Sequence, residues 1–207
     1  MQIAAKATLL TILFPFFLGA CASIASPKYS ILSKREGYEI REYDPYIVAE
    51  VEMRGSYKES LNEGFRVLFD YIRGNNERRE SIEMTAPVLQ EAGGESEKIE
   101  MTAPVLQEER RKGYVISFVM PKDHSLGTLP RPKDPRVMLR EVKRKKVAAL
   151  CFTWYASEEK TRKKTEALAA LLRRDGDQAV SPYRTAQYNP PWAIPFLRRN
   201  EILVDIR

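Results

Sequence analysis

Apolar and polar residues alternate with a period of two along several stretches of this chain, and with a period near 3.6 along two others. Tyr38 to Tyr43 and Tyr46 to Met53 alternate and are separated by the turn pair Asp44-Pro45, so they read as two strands. Leu61, Phe65, Leu68, Phe69 and Ile72 then recur on one face of a helix. Ser56 with Glu59 gives that helix a capping-box start, and Gly74 with Asn75 and Asn76 stops it.

Next comes a repeated stretch. Ile82 to Glu91 reads IEMTAPVLQE, and Ile99 to Glu108 reads the same ten residues, seventeen positions on. In each copy Ile, Met, Ala and Val share one side of a period-two pattern, while Glu, Thr, Pro and Leu share the other. Each copy is therefore expected to be a half-buried strand. The short polar link over 92–98 contains Gly93 and Gly94 and suits an antiparallel hairpin. Pro87 and Pro104 cannot donate to a ladder, so each strand should bend or lie at an edge there. Tyr114 to Met120 is a further strand.

After the Pro-rich connector Pro121 to Pro135 the plan repeats without the sequence repeating. Val137 to Val142 and Val147 to Tyr155 read as strands. Ser157 can cap a second helix running to Arg174, with Glu158 and Glu159 in its first turn and Arg173 and Arg174 in its last, as the helix dipole favours. Ala167, Leu168, Leu171 and Leu172 form its apolar stripe. Tyr183 to Tyr188 and Glu201 to Ile206 close the chain as strands. Two strands, a helix and further strands, given twice, predict an α+β domain: a distorted antiparallel sheet or barrel flanked by two helices.

The chain has 207 residues, of which 43% are hydrophobic and 30% charged, enough for one domain with a sizeable core. Its first twenty residues are not part of that domain. Met1 to Lys6 carries one cation, and Ala7 to Leu18 is an apolar run of twelve, too short for a bilayer and typical of a signal peptide. The run ends in Leu18-Gly19-Ala20-Cys21, which resembles the lipobox of bacterial lipoproteins; an ordinary secretory cleavage site is the alternative. The expected division is a signal peptide over 1–20, a lipidated tether over 21–27 attached through Cys21, and a globular domain over 28–207. The expected location is the cell envelope, facing the periplasm and anchored to a membrane.

The second cysteine, Cys151, sits in the apolar run Val147 to Phe152 and reads as a small buried hydrophobe. Cys, His and carboxylates do not cluster at metal-ligand spacing. The single histidine, His124, lies in the polar connector, where a solvated residue is the default reading over a ligand. A Ser-His or Cys-His nucleophilic site would need that histidine, and no nucleophile motif accompanies it, so binding rather than catalysis is expected. The net charge of +6 is spread over short basic runs, among them Lys143 to Lys146 and Arg198-Arg199. Nucleic-acid binding would explain the cations but not the export signal, whereas anionic headgroups or carboxylates of a ligand suit that compartment.

The motif Ile-x-Met-Thr-Ala-Pro-Val after an amphipathic helix resembles the SOUL family of haem-binding proteins. Four further segments fit in order. They are Gly64-Phe65 with Tyr71 to Asn75, Phe118 to Pro121, Leu129 to Pro132, and Tyr188 to Trp192 with Arg198 to Ile202. The resemblance covers residues 28 to 207 and implies the same architecture. It also implies haem, or a related tetrapyrrole, held in an apolar cleft between helix and sheet, with cations near the propionates. The ligand-binding candidates are Phe65, Phe69, Met84, Met101, Tyr188, Trp192 and Arg198. Met84 and Met101 are soft iron ligands or simple core packing, and Pro-Pro-Trp walls the ligand or clamps the chain end. Another small amphiphile or an envelope protein partner on the same fold is the alternative function, with an envelope enzyme as a third.

Overall fold

The computed structural model describes residues 26–78, 102–110 and 113–207. The leader with Cys21, the first decapeptide copy, the 92–98 link, Met84 and Met101 lie outside these residues. The described chain forms strands β1 (Tyr29–Arg35), β2 (Tyr38–Tyr43), β3 (Tyr46–Met53), β4 (Thr102–Arg110) and β5 (Gly113–Val119), with helix α1 (Tyr57–Ile72) between β3 and β4. The second half holds β6 (Met138–Val142), β7 (Lys145–Phe152), helix α2 (Glu158–Asp175), β8 (Arg184–Gln187) and β9 (Asn200–Asp205).

All strands pair antiparallel in one sheet of order β1-β2-β7-β9-β8-β4-β5-β3-β6. The order has a hidden symmetry. Exchanging β2 with β6, β3 with β7, β4 with β8 and β5 with β9 reverses the run from β2 to β6 onto itself. A pseudo-twofold therefore passes between β4 and β8. The first strand of each half crosses over, since β2 pairs with β7 and β6 with β3. The expected α+β sheet with two flanking helices is what forms. β1 and β6 remain at the two ends, so the barrel is not closed.

The helix ends follow local chemistry. Ser56 accepts from the Glu59 backbone while the Glu59 carboxylate accepts from the Ser56 N–H, which completes the capping box of α1. Ser157 accepts from Lys160, and Gly176 closes α2 in the left-handed region at φ 78°. On α1 the deeply buried stripe is Gly64, Val67, Leu68, Tyr71 and Ile72, packed on Ala49, Val51, Ile116 and Phe118 of β3 and β5. Leu61, Phe65 and Phe69 lie at its margin, half-buried. On α2, Leu168 and Leu172 are buried against β2, β7 and β9. Ala167, read as part of that stripe, faces solvent.

A third cluster fills the opposite face of the sheet. Tyr43, Val48, Val119, Val142, Val147, Ala186 and Leu203 meet there, although β2 and β3 stand far apart in the strand order. Only a strongly curled sheet brings them together. The second decapeptide copy runs through the centre of this sheet, between β5 and β8. Its register shifts between Thr102 and Val105, which is the expected bend at Pro104. Its two described side chains are both buried, however, one on each face. Leu106, expected on the polar side, lies in the third cluster, and Gln107 is buried on the helix side. A strand with a neighbour on each edge and packing on both faces has no polar side to offer.

Gly64 gives a direct test of the contact between α1 and the sheet. A Cβ at that position would lie 2.4 Å from Ile116 Cγ1, deep in the core. Overpacking of this kind costs about 1–3 kcal/mol, offset by about 1 kcal/mol of improved helix propensity. Gly64→Ala should therefore lower the thermal midpoint by a few degrees. Gly127→Ala, which would meet nothing nearer than Ser125 Oγ at 3.8 Å, should leave it in place.

Candidate functional site

The most concentrated polar chemistry on the inner face of the sheet surrounds Glu201 of β9, which is wholly buried. Arg41 of β2, 2% exposed, donates to Glu201 Oε2 at 2.9 Å and also to Glu39 at 2.8 Å. The Tyr188 hydroxyl donates to the same Oε2 at 2.7 Å, while Arg199 donates to Oε1 at 2.8 Å. Cys151 Sγ donates to Oε1 at 3.1 Å. Burial alone would push the Glu201 carboxyl up, but Arg41, and after it Tyr188 and Arg199, hold it down at about 2. Cys151 is thus exposed as a residue rather than buried as the sequence suggested, and its sulfur is engaged. Burial first, then the Glu201 charge, pushes its thiol up to about 11, which makes it a poor nucleophile. A carboxylate whose lone pairs are this fully used organises structure and is badly placed to accept a proton in catalysis.

A cleft of about 780 Å³ opens where the N-terminal segment, the β2–β3 turn, the end of β5 and the inter-half connector meet. Pro27, Pro45, Ile47, Val119 and Leu126 give it apolar walls, and Tyr46 contributes a half-buried phenol. Lys28 and Lys122 stand at the rim, together with the carboxylates Asp44 and Glu141. Arg144 pairs with Asp44 at 3.2 Å, which returns a positive balance to that edge. His124 also lines the cleft and is half-buried, not simply solvated. Its backbone N–H donates to Pro121 O at 3.3 Å, so the chain turn holds the residue in place. Met120 lines the same cleft, but its side chain belongs to the core beneath α1.

The residues singled out from sequence do not converge on one place. Phe65 and Phe69 stack at 5.7 Å on the margin of α1, with the Arg73 guanidinium 5.3 Å from the Phe69 ring centre. Tyr188 lies on the other face of the sheet, under the Arg199 guanidinium at 4.2 Å and bonded to Glu201. Arg198 is buried. It donates to the carbonyls of Pro191 and Ala193 and lies 4.5 Å from the Tyr155 ring centre, so it ties the loop before β9 together. Trp192 is 80% exposed on that loop and walls nothing among the described residues. Cys21, Met84 and Met101 fall outside the described residues. The sequence reads His124 as solvated and does not single out Tyr46, because their cleft is assembled from four separated segments and no local pattern announces it. A lone imidazole near a Pro-bounded turn was the one available signal.

The Glu201 network makes acid stability measurable. A folded carboxyl held near 2, against about 4.3 in the unfolded chain, stabilises the fold above the unfolded value. That contribution is lost as pH falls from about 5 towards 2. Glu201→Gln should flatten this part of the stability–pH curve. It should also cost about 3–5 kcal/mol at neutral pH, because Arg41 is left buried without its main partner. Chemical denaturation across pH 2 to 7 on both proteins measures the two effects together.

Comparison with known proteins places this geometry in a lineage. A family profile described as SOUL heme-binding protein matches residues 24–96 and 89–205. The two matches overlap over 89–96, across the end of the first decapeptide copy and the link that follows it. Heme-binding protein 2 of Homo sapiens is 30% identical over 168 residues, covering 79% of this chain and 74% of the relative. Heme-binding protein 2 of Mus musculus is 29% identical over 170 residues, with 80% and 76% covered. Among solved structures, the EcmrR C-terminal domain superposes with a TM-score of 0.58 at 9% identity, covering 86% of this chain and 98% of that one. At that identity it shows a shared fold and nothing more. A profile match over most of the chain and 30% identity to a relative across 79% of it show that this chain belongs to the SOUL family.

Proposed function

We propose that the protein binds haem or a related tetrapyrrole, reversibly and without catalysis, as an exported protein tethered to a membrane of the cell envelope through Cys21. The observation that supports the ligand best is the cleft at His124. It sets the chain's only imidazole beside apolar walls and two lysines, the donor set that haem asks of a protein. Bound there, the group would supply an iron open to axial ligation. His124 would offer the imidazole, Ile47, Val119 and Leu126 the apolar contact, and Lys28 and Lys122 charge to the propionates. The names of the human and mouse relatives support the same ligand class. This reading departs from the sequence-level expectation that His124 is a bystander.

A second observation favours the membrane. Trp154, Tyr155, Trp192, Ile194, Phe196 and Leu197 are each at least half exposed. They sit on two loops joined by the bond from the Trp154 N–H to Pro195 O at 3.0 Å. Two indoles, a phenol and aliphatic groups on adjoining loops suit the headgroup zone of a bilayer.

Titration of the purified domain with ferric haem should give saturable binding with a shifted Soret band. His124→Ala should displace that band and weaken binding about tenfold, while Phe65→Leu should not. An unchanged spectrum in the histidine variant would remove His124 from the site. For the anchor, mass spectrometry of the membrane fraction should find a mature chain beginning at Cys21 with more than one acyl group, since one acyl chain binds only marginally. A lipid-free N-terminus at Ser23 would refute the tether.

A further inference from the structure

A second cleft, of about 600 Å³, lies between α1 and α2 on the helix-bearing face of the sheet, over the pseudo-twofold. Its floor is the central strand pair, where Gln107 of β4 stands opposite Thr185 of β8. Gln107 is 3% exposed. Its amide nitrogen donates to Tyr57 O at 3.4 Å, and that fixes which way the carboxamide points. The carboxamide oxygen is left buried with no partner. Such an acceptor is costly to leave unmet, so a protein that keeps one at the floor of an open cleft calls for a donor from outside.

The walls define the donor's remaining chemistry. Tyr57 and Tyr114 meet edge to face at 5.7 Å and 88°, which presents aromatic surface to the cleft. Tyr57 is itself pinned through its hydroxyl to Ala156 O at 3.0 Å, so this wall is braced by the chain entering α2. At the rim, Arg162 is paired with Glu166 at 2.8 Å, while Glu158 has no counter-ion among the described residues. The open edge is therefore net negative. From the orphaned acceptor, the tyrosine walls and the unpaired Glu158 we infer that this cleft is a second ligand site, distinct from the cleft at His124, for a flat aromatic cation bearing N–H donors. The ring lies against the tyrosines, an N–H meets Gln107 Oε1, and the positive charge sits towards Glu158.

Proflavine is a suitable probe, being planar, cationic and equipped with two amino groups. Acridine orange keeps the same ring system, charge and ring N–H but has those amino groups fully methylated, so it lacks only the amino N–H donors that are proposed to meet Gln107 Oε1. Fluorescence anisotropy with the full chain should show saturable proflavine binding and at least tenfold weaker binding of acridine orange. Gln107→Leu should weaken proflavine about tenfold and leave acridine orange unchanged. Thr165→Trp, which fills the cleft from the half-buried face of α2, should abolish binding of both. If the leucine variant does not fold, the tryptophan variant and the acridine orange comparison decide the matter. No proflavine binding by the wild type, equal affinity for the two dyes, or undiminished binding by a folded Thr165→Trp would each overturn the proposal. Haem titration of the same proteins reads the other cleft independently, and Thr165→Trp should bind haem as the wild type does.

Discussion

Neither half of this chain can complete its own sheet. The first strand of each half is given to the other, β2 to β7 and β6 to β3, and the halves join again through β4 and β8. Backbone hydrogen bonds are left unmade unless both halves fold together, and an unpaired buried ladder is expensive. The same exchange curls the sheet until Tyr43 of β2 and Val142 of β6 share one apolar cluster with Leu203 of β9. Core, helix placement and the inter-helix cleft follow from that topology. That cleft exists because the two helices cover their own halves, against β3 and β5 for α1 and against β9 for α2, and leave the axis between them open.

The buried charges fit the same constraint. Arg41 belongs to the strand that crosses over, and Glu201 to the strand that lies next but one to it, beyond β7. Burying one ion pair is seldom a net gain over apolar packing, because desolvation offsets the attraction. Here the carboxylate gathers donors from Arg41, Tyr188, Arg199 and Cys151, which leaves its oxygens little unmet capacity. A network of that kind specifies register, since sliding β2 by one residue would point Arg41 out through the opposite face. It also explains why Tyr188, conspicuous in the sequence, is spoken for by the structure itself, while Arg198 is taken up by the carbonyls of Pro191 and Ala193.

What the sequence made legible was local. Caps at Ser56 and Ser157, the strand from Tyr46 to Met53 and the bend at Pro104 depend on neighbours within a few residues, and all appear as expected. β1 escaped notice because an edge strand that is mostly exposed need not alternate. Leu106 was assigned to the wrong environment because burial of β4 on both faces depends on β5 and β8, which no pattern within β4 encodes. The Arg41–Glu201 pair spans 160 positions of sequence, and the cleft at His124 draws on four segments. Interactions at that separation are set by topology, and the topology was legible as a class but not as a strand order.

In a scaffold with internal symmetry, chemistry has to come from where the symmetry fails. The cleft at His124 joins the β2–β3 turn to two parts with no counterpart in the second half, the segment before β1 and the connector that leads from β5 to β6. Nothing in the repeated plan constrains those parts, so they can hold an imidazole and lysines without disturbing the core. The inter-helix cleft is the opposite case. It lies on the axis, where the two halves contribute equivalent strands, and there the floor reads Gln107 on one side and Thr185 on the other. A long carboxamide facing a short hydroxyl gives the axial site a direction that the backbone symmetry alone cannot supply. One cleft is thus free to vary where it lies outside the repeat, and the other is polarised by a single asymmetric pair within it.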